Sequence, residues 1–196
     1  MFRWIERFSY RHSDRITAHS DGNLQLLASA NPDVRGKLVI LHNWVELPAG
    51  EPPDIAYRRK HGLEGRFIAL FAGVLGPSQA VHMIVELAAR VADLRDLTFL
   101  IVGEGAEKRR AEDLVAAYRL TNVVFRPFIS PAEYPSLLKE IDVGLVTLTT
   151  GVKTPVVPGK MLGYMVAGIP VAAFVNAESD VHALMKDADM PQSASF

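Results

Sequence analysis

Cysteine is absent from this chain, and that absence excludes a disulfide framework, a thiolate zinc site and a cysteine nucleophile together. A reducing compartment fits such a sequence. Long apolar runs are also missing: stretches such as IALFAGVL fall far short of the roughly 20 residues that a spanning helix needs. The N-terminus, MFRWIERF, is charged from its third residue and lacks the apolar segment and small-residue cleavage site of a secretory signal, so the expected location is the cytoplasm. Neither sign of charge is in excess. With 21 basic and 22 acidic residues the formal net charge is -1, no global field draws the chain toward nucleic acid, and any anion site has to be local. The six histidines never stand at ligand spacing with a second histidine or a well-placed carboxylate, so no metal is expected. No nucleophile elbow, no lysine-containing phosphate loop of the GxxxxGK type and no aromatic-basic nucleic-acid face occurs.

What is present is a chain of 196 residues, 49% hydrophobic, enough to bury a full core. From about residue 66 short apolar runs alternate with amphipathic stretches, the pattern of successive βα units. RFIALFAG, LTFLIVG, NVVFRPF, IDVGLVTL and IPVAAFV are apolar on both faces, which predicts an α/β fold with a Rossmann-like parallel sheet and helices on both faces. Between them lie SQAVHMIVELAARVADL, AEKRRAEDLVAAYRL, SPAEYPSLLKE and PGKMLGYMVAG, with apolar residues at helical spacing. Ser130, Pro131 and Glu133 form a capping-box signature. Residues 1–45 read as a helix near 2–12, a strand DRITAHS, a helix around GNLQLLAS and a strand KLVILHN. Residues 46–65, which take in most of the proline-rich VELPAGEPPD, read as a linker, and 66–196 as a second domain. Arg3, Arg7, Arg11 and Arg15 recur every four residues among Phe2, Trp4, Ile5 and Phe8. This reads either as a solvated helix face or as a helix docking on the anionic inner face of a membrane.

In an open parallel sheet, ligands bind outside the carboxyl ends of the strands. There the sequence is rich in glycine: AGVLGPSQ carries Gly73 and Gly76, and VGEGAEK carries Gly103 and Gly105. Either pair suits a close backbone approach to a ligand or simply a tight turn with positive φ. In PGKMLGYMVAG, Pro158 suits the first turn of a helix and Gly168 its C-terminal cap. The first-turn amides of Gly159, Lys160 and Met161 then point out of the carboxyl edge, where the helix dipole also favours an anion. Gly159 leaves room for an oxyanion and Lys160 adds a full charge.

Taken together, RHSDRITAHSDGN, LHNWVE, FAGVLGPSQAV, VGEGAEKRR, VFRPFISPAEYPSLL, DVGLV and VVPGKMLGYMVAGIPVAA resemble the family 4 glycosyltransferases, retaining GT-B enzymes with two facing Rossmann-like domains. The resemblance implies that residues 66–196 are the nucleotide-sugar-binding domain, truncated at its C-terminus, and that residues 1–45 are the tail of the acceptor domain. It implies hexosyl transfer from a nucleotide-diphosphate sugar, a UDP-sugar first, to a glycan or lipid-linked acceptor in cell-surface polysaccharide synthesis, without a cofactor. Gly73 would lie along the diphosphate. Val74 and Gln79 occupy the places of the usual arginine and lysine, and the base would meet Gly103 and the loop Arg126, Pro127 and Phe128. Pro158, Gly159 and Lys160 match a Pro-Ser-Lys subgroup, with Gly159 for the serine. Pro155 and Gly163 stand where the family keeps two glutamates, the second of which holds the ribose. The chain ends at DMPQSASF, where the family would continue with a sixth strand and a returning helix. The expectation is a fragment that does not turn over substrate by itself. Two other readings stay open: a non-catalytic nucleotide- or sugar-binding module and, more remotely, a sugar-nucleotide epimerase.

Overall fold

The computed structural model describes residues 2–46, 54–152, 154–188 and 194–195. Most of VELPAGEPPD, expected as a linker, lies outside the described residues. The N-terminal unit consists of α1 (Phe2–His12), β1 (Ile16–Ala18), α2 (Asp21–Ala30), a 3-10 turn (Pro32–Lys37) and β2 (Leu38–Ile40). β1 and β2 pair in parallel. Ser20 caps α2 by accepting the Asn23 amide at 3.4 Å, a role that suits a short side-chain oxygen.

The larger unit follows the predicted alternation: α3 (Tyr57–His61), β3 (Phe67–Ala72), α4 (Val81–Arg90), β4 (Leu97–Val102), α5 (Lys108–Ala117), β5 (Val123–Arg126), α6 (Tyr134–Leu138), β6 (Val143–Thr147), α7 (Gly159–Val166), β7 (Val171–Val175), α8 (Val181–Asp187) and β8 (Ala194–Ser195). The strands form a parallel sheet in the order β5-β4-β3-β6-β7-β8. Because successive side chains of a strand point to opposite faces, β3 divides its residues between two cores. Ile68, Leu70 and Ala72 join α3, α6, α7 and α8 through Tyr57, Leu137, Tyr164 and Met185. Ala69 and Phe71 join α4 and α5 through Val85, Ala88 and Ala111. A sheet covered on both faces has to be apolar on both faces, and the sequence is.

Two features differ from the sequence reading. α3 falls inside the stretch expected as a linker, yet Tyr57 is buried in the core. Its first amides are capped from afar: Tyr57 and Arg58 N–H donate to the Glu140 carboxylate at 2.7 and 2.8 Å. The Arg58 guanidinium donates to Asp142 at 2.7 Å. The sheet also gains a sixth, two-residue strand, Ala194–Ser195, beside Phe174 and Val175.

Candidate functional site

The strand order reverses direction between β3 and β6, and a crevice opens at the carboxyl edge of a sheet where that happens. The strands end there in steps: Gly73 N–H donates to Val102 O and Gly103 N–H to Arg126 O, both at 2.9 Å. The turn after β3 is tied across the crevice to β6, because Thr149 N–H donates to Ser78 O at 3.0 Å and the Thr147 hydroxyl donates to Gln79 O.

α7 aims its N-terminus into this crevice. Gly168 sits at φ +69 and closes the helix with Gly168 N–H donating to Met165 O and Ile169 N–H to Tyr164 O, the bonding of a Schellman cap. Tyr164 is fully buried and locks the helix to β3: its hydroxyl donates to Leu70 O at 3.1 Å and accepts Ala72 N–H at 3.2 Å. Gly144 makes room for that ring, since a β-carbon there would lie 2.4 Å from Tyr164 Cδ2. The sequence reading missed this pair, although a lone glycine inside a strand is the signal of such close approach.

At the other end, Pro158 is the N-cap and no side chain caps the helix. Met161, expected to present a free amide, donates to Pro158 O at 3.0 Å instead; the first turn tightens and uses that amide internally. The Gly159 and Lys160 amides have no hydrogen-bond partner among the described residues. Gly159 is exposed.

The Lys160 ammonium folds back over the crevice floor. Its Nζ lies 3.4 Å from the Phe71 ring centroid and donates to Gln79 Oε1 at 2.7 Å. A β-carbon at Gly73 would lie 3.6 Å from the same nitrogen. No carboxylate pairs with it among the described residues. Burial lowers its pKa to about 7, because the apolar surroundings disfavour the charged form. Gly73, Gln79 and Lys160 therefore meet at one place from distant parts of the sequence, and Pro158 and Gly159 immediately precede Lys160.

The remaining candidates lie around it. Val74 projects into solvent, 63% exposed. Gly103, at φ +150, has a structural occupation: a β-carbon would fall 1.9 Å from Gly73 O, so the two strand ends can cross only without a side chain. Phe128 is 54% exposed and borders a pocket of about 220 Å³ lined by Tyr57, Lys60, His61, Arg126 and Glu133. In that pocket burial, then Arg126 and Lys60, push the His61 pKa down. Gly163 faces away toward α6, its β-carbon position 3.4 Å from Tyr134 Cε1. Burial pushes the Tyr134 pKa up to about 12, so this phenol stays neutral. Pro155 belongs to the contact between the two units. Its carbonyl accepts the Asn23 side-chain amide at 3.3 Å, next to a bond from Gly22 N–H to the Asp180 carboxylate at 2.9 Å. No group of acids and histidines able to hold a metal occurs among the described residues.

The family described as "Glycosyl transferases group 1" matches residues 54–190. Over 136 residues the chain is 33% identical to the putative colanic acid biosynthesis glycosyl transferase WcaI of Escherichia coli (strain K12), covering 67% of this chain and 33% of that protein. It is 28% identical over 177 residues to the 2-deoxystreptamine glucosyltransferase of Streptomyces kanamyceticus, covering 87% of this chain and 45% of that one. Among solved structures, Anabaena Alr3699/HepE in complex with UDP-glucose has a TM-score of 0.74 at 19% identity, over 88% of this chain and 48% of that one. WaaG, a glycosyltransferase involved in lipopolysaccharide biosynthesis, has a TM-score of 0.72 at 18% identity, over 92% and 49%. The chain thus spans a third to just under a half of the curated relatives just named. A family match that takes in five of the six strands of the larger unit, all but β8, on a doubly wound sheet shared with GT-B structures, makes this chain a member of the group 1 glycosyl transferases.

Proposed function

We propose that this chain is the donor-binding half of a retaining family 4 glycosyltransferase, which passes a hexosyl group from a UDP-sugar to a glycan or lipid-linked acceptor in cell-surface polysaccharide synthesis. The observation that carries the reading is the Lys160 ammonium at the Gly73 turn, on a helix whose first two amides have no partner among the described residues, at the topological switch point. The relatives support it: one is named for colanic acid biosynthesis, and a structural neighbour holds UDP-glucose.

In such a transfer the bond from the anomeric carbon to the β-phosphate oxygen breaks and a bond to the acceptor hydroxyl oxygen forms on the same face. The acceptor proton leaves with the phosphate. Negative charge grows on the departing diphosphate, and a preorganised ammonium and amides stabilise charge where it develops. In this reading Gly159 and Lys160 hold the diphosphate, Gly73 and Val74 lie along it, and Gly103, Arg126, Pro127 and Phe128 border the base. No cofactor is needed. Gly163 stands where the family keeps its ribose carboxylate but faces α6, so it offers the ribose nothing to bind. The transfer takes place in the cytoplasm, and α1 rests on the inner face of the membrane through Trp4, Ile5 and Phe8, which are exposed beside Arg3, Arg7 and Arg11.

A second reading, a binding module without transfer activity, draws on Pro155 and Gly163 at the two glutamate positions. Titration calorimetry with UDP-glucose tests what both readings share. Binding to the wild-type chain, weakened about tenfold or more by Lys160→Ala through loss of a charge-assisted contact, is the expected result. Failure of UDP-, GDP- and ADP-sugars alike to bind a folded sample at millimolar concentration rejects both. Transfer to a glycan acceptor by the protein that contains this half separates them.

A further inference from the structure

Gln79 is the acceptor for the Lys160 ammonium, with Oε1 and Nζ 2.7 Å apart. Its own backbone carbonyl is held by the Thr147 hydroxyl of β6, and the neighbouring Ser78 carbonyl by Thr149 N–H. The side chain thus projects from a turn fixed to both sides of the switch point. From β3 the ammonium meets only the Phe71 ring and the Gly73 turn; from the turn Pro77–Gln79 it meets Gln79; α7 carries no other charged side chain. None of these is an acid or a base. An amide oxygen orients an ammonium as a carboxylate would, but it leaves the positive charge uncancelled.

We propose that Gln79 is a positioning residue for the donor diphosphate: its side-chain oxygen fixes the Lys160 ammonium between the Phe71 ring and the Gly73 turn while leaving its charge for the ligand to neutralise. This deepens the donor-binding reading and rests on it. A carboxylate at the same place would already be an occupant of the anion site. The bound diphosphate takes over the counterion role, so binding draws a proton onto Lys160 whenever the free amine is neutral. The free amine changes protonation near pH 7, and donor affinity therefore falls as pH rises above that value.

The test measures UDP-glucose affinity by calorimetry from pH 6 to 8.5 for the wild-type chain, Gln79→Glu and Gln79→Ala. The diphosphate of UDP-glucose is esterified at both ends and keeps its charge over this range. Wild-type affinity is expected to fall roughly 10- to 30-fold across the range by proton linkage. Gln79→Glu flattens the profile and binds more weakly at pH 6. Gln79→Ala binds more weakly at pH 6, because the ammonium is no longer held in place. A Gln79→Glu that weakens binding by one factor at every pH and keeps the wild-type slope overturns the proposal, as does a Gln79→Ala that binds like wild type throughout.

A ligand-free readout separates this proposal from the donor reading. Lysine side-chain NMR, with the Lys160 signal identified by its loss in Lys160→Ala, follows the amine directly. Titration near pH 7 in wild type and far higher in Gln79→Glu, without any nucleotide-sugar binding, keeps the Gln79–Lys160 pair and rejects the donor reading. Nucleotide-sugar binding with a Lys160 titration unmoved by Gln79→Glu does the reverse.

Discussion

Lys160 carries its charge where the fold would do better without it. Burial takes its pKa from the ordinary 10.5 down to about 7, and the sign of the consequence follows from linkage. Below pH 7 folded and unfolded chains are both protonated, and the folded state bears the whole cost of the buried charge. Between about 7 and 10.5 the folded chain sheds the proton first, and stability rises with pH. Lys160→Met keeps the length of the stem and removes the charge. Its Tm by scanning calorimetry is expected to exceed wild type at pH 6, with the margin shrinking by pH 9.5; a margin that widens with pH contradicts the burial argument. The lysine itself could be singled out as a candidate from Pro158 and Gly159 around it. Its partner was not, because Gln79 lies 81 residues earlier and nothing local marks an acceptor that a fold delivers. Gly103 is the opposite case. The glycine was visible and its occupation was ambiguous, since a ligand and a crossing backbone demand the same missing β-carbon.

The helix α7 is the element on which the site depends, and its boundaries were readable because they are chemical: Pro158 before it and Gly168 after it. What holds it in place was not readable, because Tyr164 reads like any apolar helix residue until its hydroxyl reaches Leu70 and Ala72 on β3. Tyr164→Phe is expected to cost about 1–3 kcal/mol, leaving a buried amide and carbonyl without their partner. Urea unfolding measures it, and a change below about 0.5 kcal/mol would mean that the ring alone positions the helix. The five strands predicted from both-face apolar runs all form, since burial on both sides leaves no other composition open to them. α3 escaped the reading for a physical reason. At five residues it has no periodicity to show, and the carboxylate that caps it comes from Glu140, 83 residues later than Tyr57. Ser130 and Glu133 do meet, Glu133 N–H donating to Ser130 Oγ at 3.3 Å and the Ser130 hydroxyl to Glu133 Oε2 at 2.8 Å, but α6 starts three residues later than the expected N1, Pro131, at Tyr134 with Glu133 as its N-cap.

For the whole molecule, the two units are joined at the loop that feeds α7. Gly22 and Asn23 bond Asp180 and Pro155, and Val157 N–H donates to His19 Nε2 at 3.4 Å. The N-terminal unit thus bears on the approach to the N-terminus of α7, and Pro155 is a joint between the units. That unit also exposes α1, with Trp4 72% accessible and Lys37 donating to the Arg11 carbonyl at its C-terminal end. If α1 rests on an anionic bilayer, the chain co-sediments with vesicles containing phosphatidylglycerol and not with pure phosphatidylcholine. Joint replacement of Trp4 and Phe8 by Ala then lowers the bound fraction several-fold, since each large apolar side chain contributes about 1.5–3 kcal/mol when buried. Equal binding to both vesicle types contradicts docking on an anionic surface.

The most direct test of the central claim is the calorimetric titration of the wild-type chain and Lys160→Ala with UDP-glucose at pH 6, where the ammonium is charged. Saturable one-site binding by the wild type, weakened about tenfold or more in the variant, is the expected result. Equal affinity of the two folded proteins would contradict it.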